Sequence, residues 1–247
     1  MKQLISIVIL TLTCLAGKAQ HTIEGTIEYE RSLNVHRRMD YLDEDEKEWV
    51  ARYRDKAPKY NKNYYNLSFN TKHSIYEPGR ESDETTNMWF ARIPVDENVV
   101  YTDYATKTVI AKKQVYEEKF LVKDSMRKLE WKIMDEVRTI ANYKCRKAVS
   151  VMCDSVYIVA FYSEDIPVSG GPEMFGNLPG MILEIAIPRL HTTWIATKVD
   201  ITTPEEKKLV PPKKGKETDV KGMYDVVLSS LKRWGDQGQR VVWWAVL

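Results

Sequence analysis

Histidine is scarce, four in 247 residues, and His21, His36, His73 and His191 stand far apart with no paired spacing. Zinc sites show at least one close ligand pair, so this pattern speaks against a metal centre. No G-x-S-x-G stretch supplies the strained elbow of a serine hydrolase, and no P-loop glycine run is present to cradle phosphate. Apolar runs of bilayer length are missing too. The longest at the start, Leu4 to Leu15, is short and broken by Ser6, Thr11 and Thr13. Nor is there an excess of charge. The net charge is +2, and removing residues 1–19 takes Lys2 and Lys18 and no acid, which leaves zero. A neutral chain cannot neutralise phosphates in number, so general nucleic-acid binding is excluded. The lysines from Lys207 to Lys216 are interrupted by Pro211 and Pro212 and read as a solvated linker.

Residues 1–19 read as a secretory signal. Lys2 gives the positive start, and Gly17 and Ala19 are the small residues before a cut at Gln20. Thr13 stands where a lipidated Cys14 would need a smaller neighbour, so no lipid anchor and no transmembrane span are expected in the mature chain. Residues 20–247 are long enough for one domain with a sizeable core. Of three cysteines, Cys145 and Cys153 survive cleavage. Along a straight strand they would sit roughly 26 Å apart, out of disulfide reach, and they are expected unpaired.

Seven tryptophans and fourteen tyrosines against five phenylalanines suit sheet surfaces. Alternation is clear at Thr22–Glu30 and recurs in short runs to Val199, with turn residues between. The period changes twice: a helix is predicted near 43–56 and another near 220–234, capped by Thr218 or Asp219 and stopped at Gly235. The apolar tail Val241–Leu247 reads as a strand seeking a sheet edge. The fold class is mostly β: a single antiparallel curved sheet, meander or half-barrel in character, with an inserted helix and a C-terminal one.

The most informative stretch runs from Phe161 to Ile185. Ser169, Gly170, Gly171 and Pro172 can continue neither strand nor helix. Leu178-Pro179-Gly180-Met181 reads as a type II turn, with Gly180 supplying positive φ. Ile166, Pro167, Gly170, Gly171, Pro172, Phe175, Gly176, Leu178, Pro179 and Gly180 form the candidate structural or recognition loop. Phe175, Leu178 and Met181 are expected to fasten it to the sheet.

Asn177-Leu178-Pro179-Gly180-Met181-Ile182 also resembles the motif that names the GLPGLI family. Glu164-Asp165-Ile166-Pro167, Gly170-Gly171-Pro172 with Phe175-Gly176, Trp131-Lys132-Ile133 and Tyr143–Ala148 resemble further elements of it. That resemblance implies a secreted, β-rich protein of Bacteroidetes-type bacteria, with no established activity and no catalytic residues. Without catalytic motifs, the expected function is a non-enzymatic, cofactor-free module of the periplasm or outer membrane, binding a membrane protein or a hydrophobic ligand. The alternative is a periplasmic hydrolase whose residues meet only in space, around Tyr162, Glu164 and His191. A polar cleft holding His191 beside a carboxylate would favour the hydrolase.

Overall fold

Apolar residues at every second position bury one face of each strand, and that face gathers the chain around one core. The structure, a computed structural model, describes residues 22–40, 42, 44–83, 93–95 and 97–247. The leader expected at residues 1–19 lies outside them. β1 (Gly25–Asn34) turns Ile27, Tyr29, Arg31 and Leu33 inward. It is followed by α1 (Val35–Met39) and α2 (Glu44–Arg54), then β2 (Tyr60–Phe69), β3 (His73–Pro78), β4 (Val99–Asp103), β5 (Thr108–Val115) and β6 (Glu118–Ser125). The second half supplies β7 (Lys132–Ile140), β8 (Tyr143–Met152), β9 (Val156–Ser163), β10 (Met181–Ile187) and β11 (Thr192–Asp200). The chain closes with β12 (Lys216–Thr218), α3 (Val220–Ser230) and α4 (Gly235–Ala245).

The twelve strands among the described residues join one sheet, in the order β12-β6-β5-β4-β3-β2-β1-β11-β10-β9-β8-β7. The mostly β reading stands, with one refinement. β12 lies parallel to β6, pairing Lys216 with Phe120 and Thr218 with Val122, so the sheet is mixed. This strand comes from the lysine-rich segment that reads as a linker. Gly215 makes the approach possible: at φ 143°, a Cβ there would come within 2.6 Å of the Phe120–Leu121 backbone.

The expected helix near 43–56 is α2. α1, which alternation does not reveal, precedes it, capped by Asn34 Oδ1 accepting from the Arg37 amide at 3.0 Å. Val35, Met39, Val50 and Ala57 make a small cluster of their own beneath the two helices. The helix predicted at 220–234 ends earlier, at Ser230. Asp219 caps its start, with Oδ1 accepting from the Gly222 amide at 2.6 Å. A short turn of 3-10 helix follows, Lys232–Trp234, and then α4.

α4 corrects the reading of Val241–Leu247 as a strand. Gly238, Val241, Val242 and Ala245 recur at helical spacing and are all buried, and a seven-residue apolar run by itself does not distinguish the two states. The inner face of the sheet, α3 through Met223 and Val227, and α4 through Val242 and Trp244 share one core. Each such large side chain contributes about 1.5–3 kcal/mol when fully buried. β7 carries a bulge between Ile133 and Val137. Cys145 is buried, Cys153 is exposed in the β8–β9 turn, and both are free thiols. Among the described residues no helix is long and apolar enough to cross a membrane.

Candidate functional site

The Pro-Gly loop between β9 and β10 turns inward. Backbone bonds fold it tightly: the Val168 amide donates to Ile166 O at 2.8 Å and the Gly170 amide to Val168 O at 2.9 Å. The Met181 and Ile182 amides then tie the loop to β10 by donating to Ile166 O and Gly170 O, each at 2.9 Å. Ile166, Gly170, Gly171, Pro172, Phe175, Gly176, Leu178 and Gly180 are buried, and of the ten residues singled out only Pro167 and Pro179 are exposed.

Gly180 is needed for a reason other than the expected one. Positive φ falls on Asn177 at 64°, not on Gly180. At Gly180 a Cβ would sit 2.0 Å from Ser163 O, so the constraint is the approach of two backbones. Asn177 suits its left-handed position, and its side-chain amide donates to Arg127 O. The Trp131 indole closes the loop by donating to Gly176 O at 2.9 Å.

Inside the loop lies a cluster that turn chemistry does not reveal. Glu173 is buried and held at φ 53°, a conformation a non-glycine residue keeps only when its surroundings impose it. Its Oε2 accepts from the Asn98 amide at 2.6 Å and stands 3.7 Å from Lys113 Nζ. Burial of the Lys113 ammonium lowers its pKa from 10.5 to about 8, against the opposing pull of Glu173. Beside this pair is a cavity of about 10 Å³ whose lining includes Glu173, Arg127, Tyr76, Tyr104, Gly170, Gly171 and Gly176. That is room for about one water and none for a saccharide. Burial pushes the Tyr104 phenol up to about 12, and its hydroxyl donates to Ser74 Oγ at 2.8 Å.

The outer side of the same strands carries a second cluster. Arg138 of β7 donates through Nη1 to both oxygens of Glu184 on β10, at 3.1 and 2.8 Å, while its guanidinium lies 3.5 Å above the Phe161 ring. Its Nη2 is 3.6 Å from Glu136, which also accepts from Lys147 Nζ at 2.5 Å. The β7 bulge brings Glu136 to this position. The two carboxylates are pushed apart. Burial raises the Glu184 pKa despite Arg138, whereas the hydrogen bond from Lys147 holds Glu136 low. The Glu184 side chain is 9% exposed and that of Arg138 42%, so solvent reaches the cluster.

A sequence signal for Glu184 was present: it is the only charged residue in the apolar strand Met181–Ile187. Lys113 gave the same kind of signal, falling on the buried phase of β5 with Val109, Ala111 and Val115. Of the residues named for a spatially assembled hydrolase, only two meet. The Tyr162 hydroxyl donates to Glu164 at 3.4 Å, while His191 follows the far end of β10, roughly 20 Å along the strand.

The architecture is one broad sheet with an inward loop and a half-open carboxylate cluster on its outer side. Residues 81–225, more than half of the chain, match the family described as N-glycanase peptide, N-terminal domain. This chain belongs to that family. PNGF-II in its C2 crystal form shares 17% identity with it at a TM-score of 0.52, over 89% of this chain and 32% of that one. The P21 form gives 18% and 0.52, over 84% and 33%. The chain therefore spans about a third of PNGF-II, and at this identity the likeness establishes the fold. No curated protein matches the chain.

The family match overturns the GLPGLI assignment, because it covers the same stretch from Trp131 to Ile185. The loop residues behind that resemblance are turn formers, chemistry that such a loop requires in any family. With the assignment goes the expected non-enzymatic module for a membrane protein or hydrophobic ligand. The match to N-glycanases favours the hydrolase alternative.

Proposed function

We propose that this chain is exported and acts in the hydrolytic release of N-linked glycans, with the Glu184–Arg138–Glu136 cluster as its reactive polar group. The family match carries the reading. Hydrolytic release breaks the C–N bond that links glycan and asparagine: one group delivers a proton to the leaving nitrogen, and another stays ionised to take the proton from the water whose oxygen bonds to the carbon. Glu184, its pKa raised by burial, suits the first role, and Glu136, held low by Lys147, suits the second. Arg138 reaches both carboxylates and holds them in a fixed relation. A leader at residues 1–19 fits work on glycoproteins outside the cytoplasm.

The test is glycan release from a denatured N-glycoprotein by the purified mature chain. The Glu184→Gln variant is expected to lose 10²–10⁴-fold in rate, the usual worth of a positioned acid, and to lose the acid limb of the pH profile. Wild-type protein that releases no glycan would sink the proposal. Undiminished release by both Glu184→Gln and Glu136→Gln would remove the cluster from it.

A further inference from the structure

The Tyr116 side chain stands where its own backbone resists it. β5 and β6 pair Val115 with Glu118, leaving Tyr116 and Glu117 as a two-residue hairpin turn. Such turns favour glycine or asparagine where φ is positive, yet Tyr116 sits at φ 53°. A bulky residue in that conformation is an outlier, and strain of this kind persists at sites where the side chain is needed. The turn holds the ring out, 45% exposed, against Trp234, which is 51% exposed. The ring centres are 5.8 Å apart and the planes meet at 64°, so the pair forms an open notch rather than a flat patch. Two further contacts hold the turn: the Tyr116 amide donates to Pro94 O at 3.2 Å, and Gln114 Nε2 donates to Tyr116 O at 2.9 Å. Trp234 is fixed by its amide donating to Leu231 O at 2.8 Å, and Gly235, at φ 50°, turns the chain away behind it.

A charged group lies within electrostatic reach of the notch. Arg38 is near enough for its charge to act on the Tyr116 phenol, and its buried Nη1 has no hydrogen-bond partner among the described residues. A buried guanidinium N–H without an acceptor calls for one from a ligand or from water. Two aromatic rings, roughly 150–250 Å² each when covered, are too small for a stable protein interface, which needs about 800 Å² per partner. They match one sugar ring, whose C–H face packs on an aromatic plane while its rim of hydroxyls meets donors at the side.

We propose that Tyr116 and Trp234 form a stacking platform for a pyranose ring of an N-linked glycan, with Arg38 donating to a ring hydroxyl. The choice of an N-linked glycan rests on the proposed function. The stacking surface itself rests on the notch.

Chitobiose and a high-mannose glycopeptide, titrated into the mature protein by calorimetry, test it. Trp234→Ala and Tyr116→Gly are each expected to weaken binding at least tenfold. Tyr116→Gly should also hold or raise the melting temperature, because glycine accepts positive φ without strain. A merely structural aromatic pair would show the reverse, lower stability with no change in glycan affinity, and would overturn the platform. So would wild-type protein that binds neither saccharide, or that uses Trp234 to bind vesicles of phosphatidylglycerol instead. Glycan release measured alongside separates the two proposals. Release that persists with unaltered affinity in both variants removes the platform alone. Binding lost in the variants, from a wild type that releases no glycan, keeps the platform and removes the hydrolytic reading.

Discussion

Glu173 and Glu184 flank the turn of the same loop, and each meets one basic side chain, yet the two sites differ in almost every physical respect. Glu173 lies inside, with an ammonium at 3.7 Å and an amide at 2.6 Å, and both it and Lys113 are buried from bulk solvent. Glu184 lies at the rim, gripped through both oxygens by an arginine whose side chain is 42% exposed. The inner pair was removed from water at a high desolvation cost, so its worth is to make one arrangement of the loop the only tolerable one. The outer pair keeps access to solvent and can exchange protons with whatever arrives. Similar residues thus lock a fold in one place and leave chemistry possible in another.

The comparison breaks most visibly at Lys113. Replacing it with Met strands the Glu173 carboxylate in the core, and we expect a loss of about 3–5 kcal/mol in denaturant unfolding of the mature protein. Lys113→Met combined with Glu173→Gln should recover most of it, because no unpaired charge remains. A double variant as unstable as the single one would show that the pair does more than cancel charge. Protonation offers a gentler probe. The folded chain releases the Lys113 proton near pH 8 and the unfolded chain holds it to about 10.5, so the unfolded state binds more protons between those values. Stability from this group therefore rises with pH across that window, by about 3 kcal/mol in full. It is read as the difference between wild type and the double variant, and equal pH curves for the two would contradict it.

A third break comes at Gly180→Ala. A methyl 2.0 Å from Ser163 O forces the β9 end and the loop apart, and about 1–3 kcal/mol of stability should be lost. A melting temperature within a degree of wild type would mean that the loop has room to move.

How far these sites could be read in advance follows from the range of their contacts. Strands such as β1 and β5 announce themselves by alternation, because period two is a local property of the chain. The loop was legible as a loop for the same reason, since Gly170, Gly171 and Pro172 constrain φ wherever they occur. That Gly180 serves backbone approach and not positive φ depends on Ser163, placed there by the register of β9 against β10. β12 is three residues in a lysine-rich segment, with no pattern of its own, and exists because β6 offers an edge. The tail was ambiguous in kind. Its helical spacing begins at Gly238, before the apolar run that invites a strand reading. Neither carboxylate cluster has a local signature beyond one charge in an apolar phase, because Asn98, Lys113 and Glu173 come from three separate segments.

The smallest change tests the outer site. Arg138→Lys keeps the positive charge but gives up the reach of one guanidinium to both Glu184, through Nη1, and Glu136, through Nη2, and the broad contact with Phe161. Since the Arg138 side chain is 42% exposed and keeps its charge as lysine, the loss should be only about 1 kcal/mol, well below any change at the inner pair. Its effect on protonation should be clearer than its effect on stability. Arg138 is what opposes the burial that raises Glu184, so weakening that grip moves the Glu184 pKa further up. Carbon-detected NMR titration of the Glu184 carboxyl would show its midpoint moving to higher pH in the lysine variant. If the carboxyl chain acts as the proton donor in glycan release, the acid limb of the rate profile should move with it. A midpoint that stays in place would mean that desolvation alone sets this carboxylate. In that case the contrast between an inner lock and an outer reactive pair would lose its electrostatic basis.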